Sequence, residues 1–259
     1  MRRWHYLQEN HASETLRQCV WYDCETRAEL LEDGTLKHNL VFGWACYRRR
    51  IRGGSWGEPQ WHRFTDWLEL WGWIVRKLQT RVTLYIWAHN QGFDLLASHA
   101  FEALALLGGV MEDAIVDAPP LIIKYSFGSC KITLVDTLNI WRMSLKEMGK
   151  LIGLEKMEMP AAWTGGPGDD VYCRRDVEII MRAVCEWADF LRDNDMGKMC
   201  LTVASQAMQT FRHRYLDENI LIDAHDEALS ISRSAYHGGR VEAFYIGPLR
   251  GPLYLLDVS

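Results

Sequence analysis

Apolar and polar positions along the first 80 residues predict an antiparallel sheet covered by a helix. Residues 18–26 form an apolar, β-rich run that ends in polar residues, and residues 39–50 and 56–64 are similar runs around an Arg/Gly turn. Thr65 and Asp66 then offer a helix N-cap. Apolar residues follow at helical spacing: Trp67, Trp71, Ile74, Val75 and Leu78. We therefore expect a three-stranded meander with a helix packed on it.

The middle of the chain alternates strands with helices. Residues 82–88 are almost continuously apolar, which is typical of a strand buried on both faces, and a polar loop and a helix through about residue 107 follow. Residues 121–127 and 130–138 predict a hairpin across a Gly-Ser turn, and residues 144–152 a short helix. This order predicts a ribonuclease-H-like α/β layer with a mixed central sheet flanked by helices.

The last third of the chain predicts mainly helices. Residues 164–170 indicate a loop, in which Asp169 or Asp170 can cap a long amphipathic helix. The loop is not a phosphate-binding P-loop, because the Gly-Lys-Ser/Thr ending is missing. Another helix from about residue 196 leads to a glycine-containing segment and a final apolar run at 253–258.

Charge and composition leave room for a large core but provide no general affinity for polyanions. The 259 residues are 48% hydrophobic and carry a formal net charge of −5. Nucleic-acid binding would therefore require local basic patches, such as the arginines at 48, 49, 50 and 52, although a solvated hairpin tip explains that run equally well. The tryptophan-rich segment 56–73 matches no motif.

Cysteine usage and hydropathy indicate a cytoplasmic or otherwise intracellular protein. The seven cysteines include no C-x-x-C pair, as expected in a reducing compartment. Cys19 and Cys24 lie five apart on one predicted strand, so they face opposite sides of the sheet and are expected to fill the core. No window approaches the roughly 18 apolar residues of a membrane span, so we expect a soluble protein without membrane contact.

Two acids end the first predicted strand. Asp23 and Glu25 are two residues apart, which places both side chains on the same side of the sheet. Adjacent carboxylates repel each other, and burial raises at least one pKa unless a hard divalent ion such as Mg²⁺ or Mn²⁺ neutralises them. Taken alone, the pair is better explained as ordinary acids at a solvated strand end.

A second group of polar residues directly follows the buried strand. Asn90, Phe93 and Asp94 lie where an α/β fold has its ligand crevice. His89 and Asn90 could contact a substrate terminus, and Phe93 could be a core anchor or a wedge against a base. A capped helix start explains Asn90 and Asp94 on their own, and a structural role for His89 is as simple as a functional one.

A third motif lies near the start of the long helix. Tyr172 and Asp176 have i, i+4 spacing, so the phenol and the carboxylate share one helix face. A phenol beside a metal-bound carboxylate can orient an attacking water. An amphipathic helix with Asp176 in solvent is the simpler explanation of this motif alone, and it is the joint occurrence of three motifs that indicates a site.

The three motifs in this order resemble the DEDD superfamily of 3′→5′ exonucleases, in the branch with tyrosine in the third motif. The resemblance implies a DnaQ-like exonuclease fold and two divalent metal ions, Mg²⁺ or Mn²⁺. Asp23, Glu25 and Asp176 would be metal ligands, Asp94 would complete the set largely through water, and Tyr172 would position the nucleophilic water. Two such ions can activate water and stabilise the leaving 3′-oxygen.

Two segments resemble protein-primed family B DNA polymerases. Tyr236, Gly238 and Gly239 match the Y-x-G-G element that joins their exonuclease and polymerase domains, and paired glycines allow close approach to a phosphate. Asp257, in the final apolar run, resembles the metal-binding aspartate of polymerase motif A. A plain turn explains the first segment equally well.

Four more residues match functional elements of the same enzymes. Lys156 resembles a lysine that assists hydrolysis near the scissile phosphate, where a positive charge is useful. Thr137 and Leu138 resemble a contact with single-stranded DNA, and Thr26 completes the first acidic motif as a substrate contact. A surface lysine and a hairpin end are equally simple explanations.

The resemblance implies the proofreading 3′→5′ exonuclease domain of a protein-primed-type family B DNA polymerase. Residues 1–190 would form this domain, and 191–259 connecting helices, the Y-x-G-G loop and the first palm strand. Expected partners of the monomeric protein are a single-stranded DNA 3′ end, primer-template DNA and a terminal priming protein, during replication of a virus, plasmid or mobile element. The alternatives are a standalone exonuclease acting on DNA or RNA, and a non-catalytic module that binds DNA or a terminal protein.

Overall fold

The computed structural model describes residues 4–52, 54–117, 119–160, 167–222 and 224–236. The chain forms two compact units, one of residues 9–217 and one that combines residues 1–8 with residues 218–259. The predicted division into an exonuclease domain and a palm segment at residue 190 remains a prediction.

The described elements are nine strands and seven α-helices. The strands are β1 (His5–Leu7), β2 (Gln18–Leu30), β3 (Leu36–Arg49), β4 (Gln60–Phe64), β5 (Thr83–Ala88), β6 (Val110–Val116), β7 (Leu121–Phe127), β8 (Cys130–Asp136) and β9 (Ile220–Ile222). The helices are α1 (Trp67–Val75), α2 (Gln91–Ala97), α3 (Ala100–Leu106), α4 (Leu145–Leu151), α5 (Pro167–Asp193), α6 (Val203–Arg214) and α7 (Asp226–Ala235). The smaller unit pairs β1 with β9 in antiparallel fashion and contains α7.

A mixed seven-stranded sheet organises the larger unit, in the order β4-β3-β2-β5-β8-β7-β6. The strands β2, β5 and β8 are mutually parallel, and the remaining neighbours are antiparallel. Trp21, Trp87 and Val135 lie side by side on the three parallel strands and are buried. Since parallel strands end at the same sheet edge, the polar residues that follow them are brought together.

Helices cover both faces of this sheet. The helices α1, α2 and α3 pack on one face, with Trp71, Leu95 and Leu104 in the core. The opposite face is covered by α5, whose Val177 and Ile180 pack in the same core as the tryptophans of β2 and β5. The predicted ribonuclease-H-like α/β layer is confirmed.

Several predicted elements agree closely with the structure. The meander, the hairpin of β7 and β8, and the short helix α4 are present, and Ser144 and Glu147 form a capping box at the start of α4. Cys19 and Cys24 are buried in the cores on opposite faces of the sheet, as predicted. Among the described residues, no helix has both the length and the apolar character needed to span a membrane.

Other details were wrong. The helix α5 begins at Pro167, so Asp169 and Asp170 lie in its first turn and do not precede it as caps. The helix predicted through residue 107 is broken, because the backbone at His99 has a left-handed conformation with φ 46°. The strand β6, exposed along its whole length, was not predicted.

Two arginines of the run have structural partners, whereas Arg49 and Arg52 are exposed, as expected of a solvated tip. Arg48 donates to the carbonyl oxygen of Gly57 at 2.8 Å, and the buried side chain of Arg50 forms an ion pair with Asp189 at 2.7 Å. These arginines therefore fix the connection between β3 and β4.

Candidate active site

The first two acids lie where β2 passes under α5. Asp23 and Glu25 face α5, whereas Tyr22 and Cys24 belong to the core on the other side of the sheet. The thiol of Cys173 on α5 lies 3.6 Å from both Asp23 Oδ2 and the Asp23 carbonyl oxygen. Ligand atoms of Asp23, Glu25 and Cys173 all lie within 4.8 Å of one another. The predicted common orientation of the two acids is therefore present.

Local backbone features make room for this pair. Gly43 on β3 lies opposite Cys24, and a Cβ atom at Gly43 would lie 2.5 Å from the Asp23 carbonyl oxygen and would clash with the Phe64 ring. Immediately after Glu25, a β-bulge shifts the register of the two strands. Such a bulge changes the direction of the following side chains, which here begin with Thr26.

Asp94 joins the pair from the opposite helix layer. Its carboxylate is buried on α2 and accepts a hydrogen bond from the Cys24 backbone N–H at 3.1 Å. The chain reaches α2 through Asn90, which has a left-handed conformation with φ 62° and makes no side-chain cap. The alternative of a helix capped by the Asn90 side chain is therefore excluded, and Asp94 is fixed beside β2.

Asp136, at the end of β8, is a site residue that the sequence analysis missed. Its buried carboxylate accepts backbone N–H bonds from Asn90 at 3.1 Å, Gln91 at 2.9 Å and Leu138 at 2.9 Å. The only signal in the sequence is an acid that closes an apolar strand. Asp136 holds the turn that precedes Asp94 against the end of the neighbouring strand.

The same junction brings two predicted substrate contacts together. His89 Nδ1 lies 2.8 Å from the Thr137 hydroxyl oxygen, and that hydroxyl donates to the Ala88 carbonyl oxygen at 3.3 Å. Leu138 follows in a short 3₁₀ turn, Thr137–Asn139. The structure thus places His89, Thr137 and Leu138 at the edge of the sheet where the acids lie.

The third motif completes the cluster from α5. Tyr172 and Asp176 are both buried, and Asp176 forms an ion pair with Lys156. The Lys156 ammonium lies 4.4 Å from the centre of the Tyr172 ring. Packing of Met148 on α4 against Ile179 on α5 positions the segment that carries this lysine. Tyr172, Asp176 and Lys156, which were predicted to act together, are therefore adjacent.

Burial in a like-charged neighbourhood shifts the acids toward their protonated forms. Desolvation raises the pKa of Asp23, Asp94 and Asp176, and raises that of Glu25 to about 7. Repulsion from Asp94, Asp176 and Glu25 raises the pKa of Asp23 further.

The lysine and the thiol respond to the same field. Burial alone would lower the pKa of Lys156, but the charge of Asp176 and hydrogen bonds with Asp176 and Tyr172 raise it above its ordinary value. Burial raises the pKa of Cys173 well above its ordinary value, so this thiol stays protonated at neutral pH. Lys156 therefore offsets one carboxylate charge, and Cys173 adds none.

The donor set fits hard divalent cations. Among the described residues, buried Asp176 Oδ1 has no hydrogen-bond partner, although its fellow oxygen contacts Lys156. Such a buried, unpartnered oxygen is costly unless a cation or water is bound to it. Carboxylate oxygens are the ligands that Mg²⁺ and Mn²⁺ prefer, and a protonated thiol is not a ligand for them.

Three side chains at the surface, those of Thr26, His38 and Phe93, lie next to one another near the acids. Thr26 Oγ1 is 3.0 Å from His38 Nδ1, and the His38 ring meets the Phe93 ring edge-on at 5.1 Å between centroids. Phe93 is 37% exposed, so it is not the core anchor that was one of its two explanations. His38 was missed, because nothing in the local pattern distinguishes it from other polar residues of the hairpin.

The residues predicted to belong to the polymerase part are not among the described residues of the larger unit. Tyr236 directly follows α7 in the smaller unit and is 82% exposed. Gly238, Gly239 and Asp257 lie outside the described residues, as does the apolar run at 253–258.

The sheet order, the two helix layers and the acids gathered from β2, α2 and α5 define a ribonuclease-H-like fold with an acidic crevice. Residues 170–259, about a third of the chain, match the model of a family described as DNA polymerase type B, organellar and viral. No curated protein matches the sequence.

Solved structures of Phi29 DNA polymerase share this fold. The ternary complex with primer-template DNA and incoming nucleotides has a TM-score of 0.54 at 13% identity, over 77% of this chain and 34% of that one. The binary complex with primer-template DNA has a TM-score of 0.53 at 15% identity, over 76% and 34%. The complex with single-stranded DNA has a TM-score of 0.50 at 13% identity, again over 76% and 34%.

This likeness is one of fold, and the chain spans about a third of the length of those polymerases. Together with the family match, it confirms the resemblance to family B DNA polymerases that the motifs indicated.

Proposed function

We propose that this chain is a metal-dependent 3′→5′ exonuclease domain that proofreads for a protein-primed-type family B DNA polymerase. The observation that carries the proposal is the meeting of Asp23, Glu25, Asp94 and Asp176 from three separate elements. Within the described part of the chain, one buried oxygen of Asp176 has no hydrogen-bond partner. Neutral side chains would be more stable at buried positions so close together. Function therefore accounts for a cluster that folding alone does not favour.

Each residue of the cluster has a chemical role in this proposal. Asp23, Glu25 and Asp176 would hold two divalent ions, Mg²⁺ or Mn²⁺, which when bound supply an activated water and stabilise the leaving oxygen. Asp94 fixes the β2 backbone through the Cys24 N–H and would complete the ligand set largely through water.

Lys156 and Tyr172 act on the reacting groups. The Lys156 ammonium, held between Asp176 and the Tyr172 ring, would place positive charge where negative charge develops on the phosphate. The Tyr172 hydroxyl would orient the water that attacks the phosphorus. A phenylalanine in its place would therefore lower turnover more than nucleic-acid binding.

The substrate would be the 3′ end of a single DNA strand. The exposed ring of Phe93 can pack against the terminal base, with Thr26, His89, Asn90, Thr137 and Leu138 as further contacts. Phi29 DNA polymerase, whose fold this unit shares, has been solved with single-stranded and primer-template DNA. Primer-template DNA and a terminal protein would be partners of the whole polymerase, with Tyr236, Gly238, Gly239 and Asp257 serving its polymerase part.

A directional degradation assay tests this function. A 5′-labelled DNA oligonucleotide incubated with the protein and Mg²⁺ should give a ladder of products shortened one nucleotide at a time from the 3′ end. A 3′-phosphorylated or phosphorothioate-ended oligonucleotide provides the matched control and should resist degradation. Shortening from the 5′ end, or internal cutting alone, would contradict the proposal.

The same assay separates the alternatives. An RNA strand of equal sequence, degraded faster than DNA at equal concentration, would identify an RNA-processing exonuclease. Binding of the oligonucleotide without degradation in either Mg²⁺ or Mn²⁺ would identify a non-catalytic module.

A further inference from the structure

Basic and aromatic side chains cover the sheet face beside the acids. Trp44 on β3, Trp61 and Arg63 on β4, and Arg174 on α5 form a group that we call the arginine–tryptophan patch. It includes Trp61 and Arg63 of the tryptophan-rich segment 56–73, which matches no motif. Trp44 and Trp61 also pack against the α5 core, which fixes their position.

Strand register connects the patch to the acids. Asp23 pairs with Trp44, and Trp44 pairs with Arg63, so these three residues form one row across β2, β3 and β4. Directly paired residues of antiparallel strands point to the same face. Since neighbouring strands are about 4.8 Å apart, the backbone of Arg63 lies about 10 Å from that of Asp23 on the face covered by α5.

Arg63 is held in a fixed orientation. Its Nε donates to Asp170 Oδ1 at 2.6 Å, and the same oxygen accepts a hydrogen bond from Trp44 Nε1 at 3.2 Å. The side chain is 35% exposed, and the part of the chain that the structure describes provides no acceptor for its terminal Nη groups. A planar guanidinium anchored through Nε still presents two donors to an incoming anion.

Arg174 is the second cation of the patch. Its guanidinium lies 4.4 Å from the centre of the Trp61 ring and 5.6 Å from the centre of the Trp44 ring. Among the described carboxylates, none forms an ion pair with Arg174, and its side chain is exposed. A guanidinium that lies over an aromatic face keeps its edge donors available for a phosphate.

We propose that the arginine–tryptophan patch binds the phosphodiester backbone of a nucleic-acid strand, upstream of the nucleotide being removed at the acids. This inference rests on the proposed function, which places the 3′ end of the nucleic-acid strand at the acids. A chain with net charge −5 has no general attraction for a polyanion, and the four site carboxylates repel one. Arg174, whose charge no described carboxylate pairs, would offset that repulsion. Arg63, whose charge Asp170 balances, would add hydrogen bonds from its Nη groups, and neither contact would read the sequence of the strand.

Binding is measured first without cleavage. In an Asp23→Ala, Glu25→Ala background, Arg174→Ala should weaken binding of a 12-nucleotide single strand about three- to tenfold at low salt, and lower the slope of log K against log salt by about 0.7 for one lost phosphate contact. Arg174 is exposed, so the variant should keep its melting temperature. Arg182→Ala is the matched control, because Arg182 is an exposed arginine of the same helix paired with Glu186.

A length series then locates the contact. In the cleavage-competent protein, the loss of kcat/KM in Arg174→Ala should grow as the substrate lengthens from two to twelve nucleotides, because only longer strands reach the patch. An equal loss at every length, or a salt slope equal to that of Arg182→Ala, would overturn the assignment. If the protein bound the strand through Arg174 but degraded no oligonucleotide, the proposed function would fail and the patch would stand.

Discussion

At the scale of single residues, the site concentrates groups that are unfavourable in a folded protein. Glu25 has its pKa raised to about 7, mainly by burial and then by the charge of Asp176, and desolvation also raises the pKa of Asp94. A carboxyl group with a higher pKa in the folded than in the unfolded state destabilises the protein above its folded pKa. That penalty disappears as the pH falls below its unfolded pKa.

Replacing one buried acid by its amide should therefore stabilise the metal-free protein. Asp94→Asn keeps an oxygen to accept the Cys24 N–H but carries no charge. With chelator present at pH 8, its melting temperature should exceed that of wild type by roughly 2–8 °C, for a gain of about 1–2 kcal/mol. The difference should shrink as the pH falls toward the ordinary pKa of an aspartate, about 3.9, because the raised pKa of Asp94 lets the folded wild-type protein take up a proton there first. A variant less stable than wild type at pH 8 would contradict this account.

Lys156 should affect rate more than folding. Lys156→Ala removes the cation beside Asp176 and should lower kcat for the 3′ nucleotide by about 10²-fold, with a smaller change in KM. Lys150→Ala, on the exposed surface of α4, is the matched control and should behave as wild type. An equal fall in both variants, or a pure rise in KM for Lys156→Ala, would rule out a role near the phosphate.

At the scale of elements, the site depends on how the strand ends are joined. Asp136 connects the end of β8 to the turn between β5 and α2 through three backbone N–H groups. Removal of the carboxylate would leave each of these N–H groups as a buried donor without an acceptor.

Asp136→Ala should loosen the turn that carries Asn90 and Asp94. We expect a loss of about 2–4 kcal/mol in the free energy of unfolding, measured by urea denaturation, together with a loss of exonuclease activity. Asp113→Ala removes an exposed acid that pairs with Lys124 on the neighbouring strand, and its cost should stay within about 1 kcal/mol. Comparable losses in the two variants would show that the Asp136 bonds are not structurally important.

The sequence predicts those features that depend on residues close together in the chain. Apolar runs identified β2, β5, β7 and β8, and i, i+2 and i, i+4 spacing gave the common orientation of Asp23 with Glu25 and of Tyr172 with Asp176. The strand β6 has no buried face to create a pattern, and the break at His99 has no glycine or proline to announce it. Asp136, His38 and Arg63 gain their contacts from elements distant in the sequence, including α2 and α5, and a local pattern does not contain such contacts.

At the scale of the whole molecule, cation binding and folding should be coupled. Ions that bind only the folded state raise its stability by mass action, and those ions compete with protons for the carboxylates. Addition of 10 mM Mg²⁺ should raise the melting temperature by several degrees at pH 8, and by much less at pH 5.5, below the pKa of about 7 of Glu25.

The variant that lacks two ligands provides the control for this effect. Asp23→Ala, Glu25→Ala should be more stable than wild type in chelator and should respond little to Mg²⁺ at either pH. A rise in melting temperature equal to that of wild type would place the binding site elsewhere.

The role of the carboxylates is best tested by the initial rate of release of a 3′-labelled nucleotide from single-stranded DNA in Mg²⁺, compared between wild type and Asp23→Ala, Glu25→Ala. We expect release by wild type, suppression by chelator, and a rate at least about 10³-fold lower in the variant, whose fold is retained. Equal rates in the two proteins would show that hydrolysis, if any, does not take place at these carboxylates.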